Sequence, residues 1–377
     1  MSDRTAACAA ARTMDKTKEG NNMSESVGRY EYDALLDYAQ RLFRAAGMEE
    51  DKARSVAWVL VEADLIGHAT HGLALVPVYL DALRKGIMSP SGEPEVISDR
   101  GASMAWRGNM LPGGWLVLKA LDLCVSRAAN YGTATCVIDN SQHIGALAVY
   151  MKRVTDLGMM AIISSSTSSS RGVAPYGGTK PLFTPNPLAA GMPTSGDPIV
   201  LDISASITTI NYARQLHKRG ERFPQPWALS AGGEPSDDPD VLVNQGGSLL
   251  PVGGMDHGHK GYSMALLVEA MTQGLGGRGR ADATTGTYTS VFIQVLDPAA
   301  FGGREGYVRQ MDWLADACRS NPPVPGGKPV RVPGDRAAVN REEALRNGVP
   351  LRQSIVEPLL AASQQLGVEM PAAIAAG

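Results

Sequence analysis

The stretch TATCVIDNSQHIGALAVYMKRVTDLGMMAIISS, residues 133–165, decides what kind of fold this chain can form. A run rich in β-branched residues, TATCVI, gives way to turn chemistry in DNSQH. A helix-like segment follows from Gly145 to Gly158, and then a second β-rich run, MMAIISS. Strand, helix, strand is the unit from which layered α/β lobes are built. It also places His143 just past the carboxyl end of a strand, where such proteins open a crevice to ligands. A neutral imidazole there can accept a proton near neutral pH, since its ordinary pKa is about 6.5. The same spacing suits a polar turn residue, and both readings stand at this point.

Working outward, the alternation persists from Ser103 to Phe301. GWLVLKALDLCVSRAANYG and HKGYSMALLVEAMTQGLGG read as helices, and PIVLDIS and TSVFIQVLDP as strands. Upstream, apolar residues recur at helical spacing in YDALLDYAQRLFRAAG and DKARSVAWVLVEADLIG, with Gly47 and Gly67 as stops. A third helix is predicted through THGLALVPVYLDALRKG, where Pro77 suits a first turn. Downstream, GREGYVRQMDWLADACRS and NREEALRNGVPLRQSIVEPLLAASQQLG read as helices that pack back on the first ones. The chain therefore divides into a disordered leader over 1–28, a helical lobe over 29–97 completed by 335–377, and a larger α/β lobe over 98–334. The leader is polar and of mixed charge, without the apolar core of a signal peptide.

Composition excludes several functions. With 35 basic and 38 acidic residues the formal charge is -3, and no long block of one sign occurs, so nothing favours nucleic acid or an anionic membrane. The four cysteines lie far apart, which argues against a disulfide framework and fits a cytoplasmic protein. No apolar run approaches the roughly 20 residues needed to span a bilayer.

Two local patterns invite chemistry and do not sustain it. Gly274, Gly276 and Gly279 in GLGGRG match a GxGxxG pattern, but they follow a helix instead of leading from a strand into one, so they lack the amides that would hold a pyrophosphate. Any dinucleotide must be bound by a different architecture. His68 and His71 in GHATHG, and His257 and His259 in DHGHKG, are spaced as metal pairs can be, yet neither has an HExxH arrangement or a matching third ligand, and no metal is expected.

Several blocks in register resemble the malate/L-lactate dehydrogenase-like oxidoreductases. They are THGLALVPVYLDALRKGIMSP, NSQHIGALAVYMKRVTDLGMMAI, VAPYGGTKPLFTPNPLAAGMP, VLDIS, HKGYSMALLVEAM and RVPGDRAAVNREEALRNGVPL. The resemblance implies an α+β, non-Rossmann fold, with a helical lobe from both chain ends and a mixed-sheet lobe that binds NAD or NADP. It implies a homodimer acting on a small 2-hydroxy or 2-oxo acid or a cyclic imine. His143 takes the place of the family's acid/base, His71 and Asp202 accompany it in the catalytic group, and Thr70 and Tyr79 line the substrate pocket. Cofactor contacts fall to Thr167, Asn186, Asp202, Ser204, Lys260 and Gly261.

Two departures accompany the resemblance. Leu75 stands where the family has an arginine that binds the substrate carboxylate, a contact worth about 1.5–3 kcal/mol. Arg84, Arg171, Lys180 and Arg214 are the candidate replacements. Asn211 and Tyr212 stand where the family often has a Gly-Lys pair. Two rivals follow: a metal-dependent lyase or hydrolase built on His68, His71, His257 and His259, and a cofactor-binding relative whose Leu75 marks lost turnover.

Overall fold

A computed structural model describes residues 27–282 and 288–375. The expected leader lies outside these residues except at its end, where the structure corrects the boundary. Val27 and Gly28 already belong to the strand Val27–Tyr30, which pairs antiparallel with Val349–Arg352.

The helical lobe is closed by both chain ends. In the helix Tyr32–Ala45 the buried residues are Leu35, Tyr38, Ala39, Leu42 and Phe43, a single apolar stripe of helical period. The Tyr38 hydroxyl donates to the Leu359 carbonyl at 3.0 Å and lies 2.8 Å from Ser363 Oγ, fixing that stripe to the helix Gln353–Leu366. The strand Val349–Arg352 interrupts the continuous helix read from the sequence, and Gly348 and Pro350 supply the break.

The helix Glu50–Leu65 is buried on nearly every side because it serves two cores. Val56, Ala57, Leu60 and Val61 pack in the helical lobe, whereas Val59 and Ala63 pack against the sheet lobe. It is therefore the hub that fixes one lobe relative to the other.

The seven-stranded sheet runs in the order Glu95–Asp99, Ser103–Arg107, Thr133–Ser141, Thr289–Leu296, Met160–Thr167, Pro187–Met192, Ile199–Ser204. Only Ser103–Arg107 and Thr133–Ser141 pair in parallel; every other neighbouring pair is antiparallel. The two strands of the opening stretch do not touch, since Thr289–Leu296 enters between them. That insertion makes the sheet mixed and the fold α+β. Between the flanking strands the chain is irregular through Ala146, and regular helix begins only at Leu147. A small three-stranded sheet, Ala228–Leu229, Pro235–Ser236 and Ser248–Leu249, packs over a satellite core.

One edge of the large sheet gathers many chain ends. Thr289 pairs with both Ser141 and Thr167, and Pro187 pairs with Ser204. Residues just past 141, 167 and 204, and just before 187 and 289, therefore converge.

Candidate active site

At that edge lies a cavity of about 490 Å³. His71, His143, Asp202 and Arg214 bring it titratable groups, while Ser165, Ser166, Thr167, Ser170, Ser204, Thr209 and Thr289 give it a hydroxyl-rich wall. A larger recess of about 770 Å³, beside Glu62, Lys152, Asp312 and Arg341, contains none of the residues singled out by sequence.

His143 is held by two contacts on one ring nitrogen. The Tyr79 hydroxyl lies 2.7 Å from Nδ1, and the Gly145 amide donates to the same atom at 3.3 Å. Nε2 is left for a ligand. Gly145 is required here: its φ is +73°, and a Cβ would lie 2.7 Å from a Val59 methyl. Burial pushes the His143 pKa down to about 3, with a smaller contribution from His71, so the ring is neutral at pH 7.

His71 stacks beside it, with ring centroids 5.8 Å apart, and its Nδ1 is 2.9 Å from Thr70 Oγ1. Burial, and then repulsion from His68, lowers its pKa to about 4. Beneath this loop lies Asp64, which sequence reading did not single out. Its Oδ2 accepts from the Leu73 amide at 2.7 Å, and its buried Oδ1 has no partner among the described residues. Gly72 permits that approach, because a Cβ would lie 2.3 Å from the carboxyl group.

Asp202 accepts from the Ala148 amide at 2.9 Å, and burial raises its pKa against the opposing pull of His68. Thr167 and Ser204 line the cavity, with Thr167 Oγ1 3.0 Å from Thr289 Oγ1. Tyr79 is buried and reaches the site through His143. Asn186, Lys260 and Gly261 are not brought to the cavity wall. Asn186 is fully buried and donates to Glu269 Oε1 at 3.0 Å; the same oxygen accepts from Ser166 Oγ at 2.7 Å. Asn186 thus meets the wall through Thr184, whose Oγ1 donates to its Oδ1 at 2.6 Å, and stands behind Ser166 through Glu269. Lys260 is exposed, and the Gly261 amide already donates to the Val252 carbonyl.

Among the described residues, no group of three His, Cys, Asp or Glu side chains could hold a metal ion. His68 and His71 share the cavity, but the exposed His257 and His259 do not line it. The hydroxyl wall fits a nicotinamide dinucleotide, since it presents hydrogen-bonding groups for a carboxamide and a ribose in a space of ordinary ligand-site size.

Comparison with known proteins places this architecture among the non-Rossmann dehydrogenases. A malate dehydrogenase structure from Entamoeba histolytica superposes with a TM-score of 0.87, at 23% identity, covering 92% of this chain and 100% of that one. A delta1-piperideine-2-carboxylate reductase structure from Pseudomonas syringae pvar. tomato gives a TM-score of 0.77 at 25% identity, covering 89% and 99%. The L-lactate dehydrogenase of Cupriavidus necator is 30% identical over 344 residues, 89% of this chain and 97% of that protein. The malate/L-lactate dehydrogenase family model matches residues 30–360, and the chain belongs to that family of oxidoreductases.

Proposed function

We propose that the protein catalyses reversible hydride transfer between NAD(P) and C2 of a small 2-hydroxy or 2-oxo acid, or the carbon of a cyclic imine, with His143 as the acid/base. The observation that carries this reading is the His143 ring, anchored at Nδ1 by Tyr79 and lining one cavity with His71, Asp202 and a hydroxyl-rich wall. The bound nicotinamide supplies or accepts the hydride. In oxidation, His143 acts in the neutral tautomer whose Nδ1–H donates to the Tyr79 oxygen, giving up the bond from the Gly145 amide, and takes the hydroxyl proton at Nε2. In reduction, Nε2–H returns the proton to the carbonyl oxygen. His71 and Thr70 bound the substrate side, and Thr167 and Ser204 offer hydroxyls to the cofactor.

The expected homodimer would cover apolar side chains that a lone chain leaves exposed, among them Leu266, Leu267 and Leu275. Cys124, Cys136 and Cys318 are free thiols, which suits a cytoplasmic setting. Family membership disfavours the metal-dependent rival. The decisive experiment is a panel of 2-oxo acids, cyclic imino acids and ureido or sulfo acids, run with NADH and NADPH. Nicotinamide absorbance should fall with at least one of them. His143→Ala should reduce kcat by about 10²–10⁴-fold while retaining NAD(P)H binding by fluorescence. Full activity in that variant would remove His143 from the mechanism.

A further inference from the structure

We propose that Arg214 holds the carboxylate of the substrate, taking over from the helix Ile210–Arg219 the task that Leu75 cannot perform. This rests on the 2-oxo acid reading above and narrows the substrate class to carboxylates bound from that helix.

A 2-oxo acid carries a negative charge that its binding cavity must match. Among the residues lining the cavity, Arg214 is the sole lysine or arginine. Burial keeps His71 and His143 neutral at pH 7, and His68, the third imidazole on the wall, acts on Asp202. The carboxylate that shares the cavity, Asp202, is occupied by a backbone amide and would repel an anion left without a counter-charge.

Arg214 is also available. It forms no ion pair among the described residues, and its hydrogen bond to Asn211 Oδ1 is long at 3.5 Å. The other candidate cations are placed elsewhere. Arg84 pairs with Asp81, and neither Arg171 nor Lys180 lines the cavity. Leu75 lies one helical turn before Tyr79, so a side chain there shares the face that meets His143. It packs instead against the helical-lobe core. Thr209, Ile210 and Asn211 line the same cavity at the start of the helix that carries Arg214, adding the positive end of that helix to the guanidinium.

Titration calorimetry with oxamate, a 2-oxo acid analogue, tests this on the whole chain with and without NAD(P)H. Arg214→Met should weaken oxamate by about 10–100-fold and leave the NAD(P)H dissociation constant within about twofold. Arg214→Lys should recover part of the loss, since it restores charge without the planar fork. Unchanged oxamate affinity in Arg214→Met, or no oxamate binding by the wild type, overturns the proposal. So does weakened NAD(P)H with oxamate unaffected, which would put the guanidinium on a cofactor phosphate. Oxamate binding that depends on Arg214, in a protein that turns over no acid or imine, would instead overturn the hydride-transfer reading and leave Arg214 as the anion site.

Discussion

The Tyr79 hydroxyl meets Nδ1 of His143 at 2.7 Å across a sequence separation of 64 residues, and this contact joins the helical lobe to the edge of the sheet. A hydroxyl can donate or accept, so it supports either tautomer of the ring. The Gly145 amide can only donate, and alone it would fix the lone pair on Nδ1 and the proton on Nε2. Tyr79→Phe should therefore penalise the base form. Because the overall equilibrium is unchanged, kcat/KM should fall by the same factor in both directions, about tenfold or more, with NAD(P)H affinity unaltered. A variant that oxidises and reduces at the wild-type rate would show that Tyr79 only packs.

The two stacked imidazoles make stability depend on pH. Both folded pKa values, about 3 for His143 and about 4 for His71, lie below the ordinary histidine value. Between those values and about pH 6.5 the unfolded chain binds more protons than the native one, so stability rises with pH through this window and is complete above it. For each ring the change between pH 5 and pH 7 is about 2 kcal/mol. His143→Gln should reduce the difference in unfolding free energy between those pH values by that amount. Urea titrations showing an undiminished difference would mean the ring is well solvated.

Local periodicity made the elements legible, but not the neighbours of each strand. The stripe on Tyr32–Ala45 and the β-branched runs at 133–138 and 289–296 are properties of short windows. The entry of Thr289–Leu296 between two strands more than a hundred residues earlier is decided by pairing across the whole sheet. At the site, His143, His71 and Tyr79 were legible because a motif carries them. The hydroxyl wall had a visible signal as well, the SSSTSSS run at 164–170. Asp64 had none, since an acidic residue near a helix end ordinarily reads as solvated. Asn186 shows the opposite case: its motif picks out a fully buried position, where the side chain donates to Glu269 and accepts from Thr184.

Asp64 adds a pH dependence of opposite sign. Burial raises its pKa to about 8, so the native carboxyl keeps its proton while the unfolded one has lost it. Native Asp64 binds more protons from about pH 4 to pH 8, and its contribution to stability falls as pH rises through that interval. Asn at this position keeps an acceptor for the Leu73 amide and does not titrate. Asp64→Asn should therefore gain melting temperature relative to wild type as pH goes from 5 to 8. A difference in Tm that is constant across this range would place the carboxyl in contact with water.

The wall behind the cavity depends on one ion pair. Arg280 and Glu269 approach to 2.9 Å with both side chains largely buried, and Ser166, Asn186 and Gln273 complete the cluster around them. Removing one partner leaves a desolvated charge, which in buried pairs costs about 3–5 kcal/mol, whereas removing both leaves none. Glu269→Gln and Arg280→Met should each lower the denaturation midpoint strongly, and the double variant should lose less than the sum of the two. The single variants should also weaken NAD(P)H binding, because Ser166 hydrogen-bonds to both partners and lines the cavity. Strictly additive losses in the double-mutant cycle would show that the two groups do not couple, and Ser166 would then have to be held by Gln273 alone.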